Sequence, residues 1–128
     1  MSKLGKIIGP VNPYFRPHEW DTVNILLENG YDIEFILESR IKGDHSADIK
    51  IKNLGIYELK SPKSDSSDII KNTLRKAKRQ SENIIINLMR TARPEHKCIH
   101  EAEKYLKEKG KIKEIWIITK KKKIVKIH

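Results

Sequence analysis

Hydrophobic and polar positions along the chain form blocks that predict a mixed α/β fold. Pro17 suits the first turn of a helix, the apolar residues after it recur at helical spacing, and Asn29-Gly30 is a typical helix end. Other blocks alternate with a period of two, and residues 83–89 form the continuous apolar run expected of a buried strand. The predicted elements are a helix from residue 17, strands 31–37, 47–51 and 55–59, a helix 68–82, a strand 83–89, a helix 94–109, and strands 114–119 and 123–127.

This order, α-β-β-β-α-β-α-β-β, predicts one mixed sheet with helices on both faces. Residues 1–16 contain two prolines and few periodic apolar positions, which predicts an irregular arm. Residues 38–46 are predicted to be a loop. The chain of 128 residues is long enough for one domain with its own core, which we assign to residues 17–128.

Charge narrows the class of partner. The 27 Lys and Arg residues outnumber the 17 Asp and Glu residues, which gives a net charge of +10 and favours anionic partners, nucleic acid first, then an acidic membrane surface or an acidic protein. The single cysteine, Cys98, excludes an internal disulfide and a cysteine metal cluster. No apolar run approaches the roughly 20 residues of a membrane span, and the basic N-terminus lacks the pattern of a signal peptide.

Candidate chemistry is concentrated in the predicted hairpin DHSADIKIKNLGIYELKSPKS, residues 44–64. Asp48 and Glu58 lie on its two strands, so their carboxylates can converge, and alternation sets Glu58 and Lys60 on the same side of one strand. Two carboxylates suit a hard divalent cation, and a nearby lysine can orient water or stabilise charge developing on a phosphate. The same residues also fit an ordinary charged ladder on a solvated hairpin.

Basic residues and histidines offer further candidates. Lys120 begins a turn of four lysines that either keeps a sheet edge soluble or binds a substrate backbone. His18 is a candidate general base or zinc ligand, as is His45, which the predicted loop also explains. The basic residues that follow the hairpin on the next helix are candidates for nucleic-acid contacts: Arg75, Lys76, Lys78 and Arg79.

Asp48 and the tripeptide Glu58-Leu59-Lys60 resemble the D…(E/D)XK signature of the PD-(D/E)XK phosphodiesterase superfamily. The segments HEWDTVNILLENGYDIEF (18–35), ADIKIKNLGIYELKSPKS (47–64) and LRKAKRQSENIIINL (74–88) are similar to the tRNA-cleaving C-terminal toxin domains of CdiA-type contact-dependent inhibition proteins. One departure is Ala47, which stands where the superfamily motif normally has a proline.

The resemblance implies a role for each matching residue. Glu19 matches an acid of the first helix that faces the metal, whereas local sequence alone favours a first-turn acid that interacts with the helix dipole. Asp48 and Glu58 match the two motif acids, Lys60 the motif lysine, and Gln80 a glutamine that supports the substrate or the site. The implied fold is the PD-(D/E)XK, or restriction-endonuclease-like, core.

Taken together, the sequence predicts a metal-dependent endonuclease with Mg²⁺ or Mn²⁺ as cofactor and Zn²⁺ as an alternative. The resemblance implies tRNA as substrate, delivery into a target cell as part of a larger exported protein, action in the bacterial cytoplasm, and a cognate immunity protein. The basic surface implies that this immunity protein is acidic. Two alternatives stay open, a DNA endonuclease of a restriction, repair or mobile-element system and a non-catalytic nucleic-acid-binding domain.

Overall fold

The chain folds into a seven-stranded sheet with three helices, seen in a computed structural model that describes residues 4–37, 47–108 and 110–127. The mixed α/β class predicted from the sequence is confirmed. The elements are β1 (Ile7–Ile8), α1 (Pro17–Glu28), β2 (Ile33–Phe35), β3 (Ile49–Ile51), β4 (Gly55–Lys60), α2 (Ile69–Ala77), β5 (Asn83–Asn87), α3 (Glu95–Glu108), β6 (Glu114–Ile118) and β7 (Ile124–Ile127).

The strands lie in the sheet in the same order as in the chain, β1 to β7. β4, β5 and β6 run parallel to one another, with α2 and α3 as the crossover connections. The pairs β2–β3, β3–β4 and β6–β7 are antiparallel, whereas β1 pairs with β2 in parallel. Because parallel strands end at the same edge, the carboxyl ends of β4, β5 and β6 share one edge of the sheet.

Two hydrophobic clusters cover the two faces of the sheet. One cluster includes Leu26 of α1 and the side chains of Leu59, Ile85 and Trp116 on the sheet. The other joins α2 and α3 to the opposite face, where Ile84 and Ile86 point. The uninterrupted apolar sequence of β5 therefore contributes side chains to both clusters, as expected for a strand buried on both faces.

The structure corrects the predicted element order at the N-terminus. Residues 1–16 were predicted to be an irregular arm, but Ile7 and Ile8 form β1 and pair with Ile33 and Glu34 of β2. The observed order therefore begins with a strand, β-α-β-β-β-α-β-α-β-β. We refer to residues 4–16 as the N-terminal arm.

Other boundaries also differ from the predictions. The predicted helix 68–82 ends at Ala77, because the chain turns there and the side chains of Ser81 and Asn83 hydrogen-bond the carbonyl oxygen of Ile56 on β4. The predicted loop 38–46, which contains His45, lies outside the described residues. Within the described ranges, no helix combines the length and apolar character that crossing a bilayer requires.

Candidate active site

Asp48 and Glu58 lie side by side across the β3–β4 hairpin. The antiparallel register pairs Ile49 with Tyr57, so continuing it by one residue sets Asp48 opposite Glu58. β3 begins at Ile49, one residue after Asp48. The side chain of Asp48 contacts β4 instead of its backbone: Oδ2 accepts a hydrogen bond of 2.9 Å from the backbone N–H of Leu59. This bond fixes the Asp48 carboxylate beside the Glu58 side chain.

Lys60 completes the group on β4. Its Nζ lies 3.2 Å from Glu58 Oε2, as expected for residues that alternation sets on one side of a strand. The intervening Leu59 points to the opposite face and packs in the cluster under α1. The ammonium group remains partly exposed, with 29% of the Lys60 side chain accessible to solvent, so it can also reach a bound molecule.

The Glu58 carboxyl group is buried, and only one of its two oxygens has a polar partner among the described residues. The residue is 2% exposed, and Oε1 has no hydrogen-bond partner among the residues that the structure describes. Burial and the adjacent Asp48 carboxylate raise the pKa of Glu58 to about 9, against the opposing effect of the Lys60 ammonium. Two carboxyl groups this close cannot both ionise cheaply, so the pair holds a proton at neutral pH unless a cation replaces it.

The pair opens into a cleft of about 410 Å³ between β4, the first turn of α1 and the N-terminal arm. Glu19 lines the same cleft, and its Oε1 accepts a hydrogen bond of 3.1 Å from the backbone N–H of Arg16, which caps α1. Both interpretations of Glu19, a helix-cap acid and a cleft acid, therefore fit its location. Among the described residues, no group of three or more Asp, Glu, His and Cys side chains is close enough together to hold a metal ion.

The residues predicted on the following helix lie farther from the pair. Gln80 is outside the cleft, in the turn after α2, where the neighbouring Ser81 bonds the backbone of Ile56 at the start of β4. Of the four basic candidates only Lys76 lies beside Lys60, where both line a small pocket. The others are distributed around the end of α2: Arg75 donates to Asn72, Lys78 caps the helix and Arg79 is exposed in the turn.

Other basic residues lie near the pair instead. Arg16 and His18 line the cleft, and Arg90 Nη1 donates to the carbonyl oxygen of Ser61 at 3.3 Å. Burial, followed by the positive charge of Arg90, lowers the pKa of His18, which favours a neutral imidazole at neutral pH. Sequence patterns did not indicate Arg16 or Arg90, since each reaches the cleft through tertiary packing; only the proximity of Arg16 to Glu19 was a local signal.

The lysine turn, residues 120–123, follows β6 and so lies at the same sheet edge as Lys60, the last residue of β4, and Arg90, which follows β5. All four lysines of the turn are exposed. This edge therefore combines the acidic pair with a series of positive charges along the ends of three strands. Such an arrangement attracts a polyanion to the vicinity of the pair.

A divalent cation fits the carboxylate pair. Glu58 Oε1 is buried and accepts no hydrogen bond from the described residues. The neighbouring Asp48 carboxylate repels an ionised Glu58, and a bound cation or a shared proton relieves that repulsion. Oxygen donors suit Mg²⁺ and Mn²⁺ better than Zn²⁺, which favours nitrogen and sulfur ligands. Asp48 and Glu58 would hold the ion, with the remaining positions left to water and a phosphate oxygen.

Comparison with known proteins gives two matches. The family model described as the contact-dependent growth inhibition CdiA C-terminal domain matches residues 45–124, more than half of the chain. Among solved structures, the fold is similar to a chain of the CdiA-CT/CdiI toxin and immunity complex from Burkholderia pseudomallei, with a TM-score of 0.67 and 18% sequence identity over 96% of this chain and 98% of that one. At this identity the second match supports the fold alone. No match is found among the curated proteins.

Proposed function

We propose that this chain, which belongs to the contact-dependent growth inhibition CdiA C-terminal domain family, is a metal-dependent endonuclease. Its proposed substrate is RNA, and tRNA in particular. As a member of this family, the chain is a toxin domain delivered into target cells as part of a larger protein. Its substrate would then be met in the cytoplasm of the target bacterium.

The observation that carries the proposal is the carboxylate pair in an open cleft, in which the buried Glu58 Oε1 lacks a hydrogen-bond partner among the described residues, beside a sheet edge rich in lysine and arginine. Glu58 Oε2 pairs with Lys60, but Oε1 is buried and has no partner among the described residues. Uncompensated burial of this kind is costly and concentrates at functional sites. The arrangement of Asp48 with Glu58-Leu59-Lys60 also supports assignment to the PD-(D/E)XK superfamily.

Each residue has a separate part in the proposed mechanism. A divalent cation, when bound, would supply Lewis-acid activation of water and neutralise charge at phosphorus. Asp48, whose carboxylate accepts a hydrogen bond from the Leu59 N–H, and Glu58 are the residues that would hold it. Lys60 lies beside Glu58 and remains partly exposed. Its ammonium group would hydrogen-bond either the attacking water or a non-bridging phosphate oxygen and so stabilise the charge that develops in the transition state.

The site residues suit a phosphodiester of RNA or of DNA. The positive charges at the shared strand edge suit the phosphate backbone of either nucleic acid, because phosphate contacts position a strand without identifying it. Hydrolysis by an activated water does not need the ribose 2′-OH, so the site residues alone permit DNA as well. The preference for tRNA comes from the resemblance to tRNA-cleaving toxin domains.

The proposal is tested by incubating the purified chain with total tRNA, single-stranded RNA and plasmid DNA, each with Mg²⁺, Mn²⁺ or EDTA. We expect cleavage of tRNA with either ion and none with EDTA. Because water rather than the 2′-OH is the nucleophile, the products should carry no 2′,3′-cyclic phosphate, which end-group analysis detects. Cleavage of plasmid alone would select the DNA endonuclease, and binding without cleavage in every metal would select the non-catalytic domain.

Variants connect the activity to the pair. Glu58→Gln and Lys60→Met should each reduce cleavage by about 10²-fold or more, the range found when single electrostatic groups are removed from active sites. Glu34→Gln is the matched control, since it removes one exposed carboxylate from the neighbouring strand β2. Equal activity of Glu58→Gln and the control would exclude the pair as the catalytic site.

An immunity protein is the further partner that we propose. The similar solved structure is described as a toxin and immunity complex, and the net charge of +10 favours an acidic partner here. The protein encoded beside this chain should inhibit cleavage, with an affinity that falls as salt concentration rises. Inhibition that is independent of salt would contradict electrostatic recognition.

A further inference from the structure

Tyr14 is the most exposed of the large hydrophobic residues in the described part of the chain, at 85%, and it lines the cleft that contains Asp48 and Glu58. Its ring has little to pack against in the folded chain. An aromatic side chain displayed beside a charged cleft is unusual because stacking on another ring, or burial in the core, would be favourable.

The backbone around Tyr14 is fixed on both sides. Its N–H donates to Asn12 Oδ1 at 2.9 Å, and Asn12 is itself only 7% exposed. On the other side, Phe15 packs edge-to-face against Phe35, with ring centroids 4.8 Å apart, and against Trp20. The turn therefore presents Tyr14 from a rigid base, and only its own two side-chain torsions need to be ordered when a ligand binds.

The neighbouring groups indicate which ligand suits the ring. Arg16 lines the same cleft two residues later and carries a positive charge that suits a phosphate, and in the proposed nuclease the reacting phosphodiester would lie at the carboxylate pair in that cleft. A nucleotide that bridges these groups has one apolar, planar part, its base, that still needs a contact. Aromatic side chains beside phosphate-binding cations are the usual platforms for bases of single strands.

We propose that Tyr14 stacks on an unpaired nucleobase next to the scissile phosphate, so that the chain takes its substrate at a single-stranded loop or end rather than within a duplex. This inference rests on the proposed nuclease function and deepens it. A base within a continuous duplex has both faces covered by neighbouring bases, so it reaches the ring only after unstacking. The ring thus favours looped or unpaired nucleotides near the cleavage point.

Binding is measured without cleavage in the Glu58→Gln background, with a short RNA that carries the fluorescent base 2-aminopurine, either single-stranded or annealed to its complement. Stacking on Tyr14 should quench the single-stranded probe. In this background, Tyr14→Ala should remove the quenching and weaken binding by roughly 5- to 150-fold, the equivalent of one base–aromatic stack. Tyr14→Phe should retain both, because the ring rather than the hydroxyl makes the contact.

Leu54→Ala is the control for loss of an exposed apolar side chain, since Leu54 is 49% exposed in the β3–β4 turn, away from the cleft. Equal binding by Tyr14→Ala and the control, equal loss in Tyr14→Phe, or equally tight binding of the duplex would each overturn the inference and leave the ring to a protein partner. If the active chain cleaves nothing but binding still depends on Tyr14, the nuclease function fails and the stacking contact stands.

Discussion

The carboxylate pair makes a quantitative prediction for stability. In the folded chain burial and Asp48 raise the pKa of Glu58 to about 9, from an ordinary value of 4.5 that applies after unfolding. Between these pH values the folded chain holds one more proton than the unfolded chain, so its free energy of unfolding falls as pH rises. The slope is about 1.4 kcal/mol per pH unit, which amounts to roughly 3 kcal/mol between pH 5 and pH 7.

Glu58→Gln is the perturbation that isolates this effect. The amide has the shape of the protonated acid and can donate a hydrogen bond to Asp48, but it does not ionise. We expect the variant to be more stable than the wild type by about 3 kcal/mol at pH 7 and nearly equal to it at pH 5. Taking the difference between the two proteins also cancels His18, whose lowered pKa has the opposite pH dependence.

Urea denaturation at pH 5, 6, 7 and 8, followed by circular dichroism, measures the difference directly. A difference between wild type and Glu58→Gln that stays constant across this range would refute the raised pKa. Mg²⁺ adds a second readout that is independent of activity: it should stabilise the wild type more at pH 8 than at pH 5, because it replaces the shared proton. The same Mg²⁺ addition should leave Glu58→Gln nearly unchanged.

Substitutions at Gly5, Arg93 and Ile85 test the packing of the rest of the domain. Gly5→Ala would set a Cβ 1.9 Å from a carbonyl oxygen and should lower the free energy of unfolding by about 1–3 kcal/mol, whereas Gly110→Ala, with open space around it, should not. Arg93→Lys loses the paired contacts of Nε and Nη2 with Glu101 and should lower the urea concentration at the unfolding midpoint; an unchanged midpoint would refute this contribution. Ile85→Ala should cost about 2–5 kcal/mol and Ile85→Val about 0.5–1.5, because the residue is fully buried; equal midpoints for the two would contradict close packing there.

Local signals were sufficient for much of the fold. Pro17 and the Asn29-Gly30 pair bracket α1 correctly, because they act through the backbone of the helix ends themselves. The period of two in a short hairpin was also sufficient to bring Asp48 and Glu58 together and to direct the side chain between Glu58 and Lys60 into the core. These features depend on neighbours within a few residues or across one tight turn.

Features that depend on residues far away in the chain could not be predicted from local sequence. β1 is two residues long, too short to show a period, and exists because β2 pairs with it. The early end of α2 depends on Ser81 and Asn83 reaching Ile56, which no helix propensity reveals. Arg90 approaches the cleft from beyond β5, so its position follows from the parallel sheet and not from its local sequence.

The identical order of strands in the chain and in the sheet has a consequence for how the domain folds. Each strand pairs with the one that precedes it, so no strand must be inserted between two others that have already paired. Closing short chain segments loses less entropy than closing long ones, which favours rapid, stepwise assembly. The sheet of this toxin domain can therefore assemble one neighbouring strand at a time, and the acidic pair forms as soon as β4 pairs with β3.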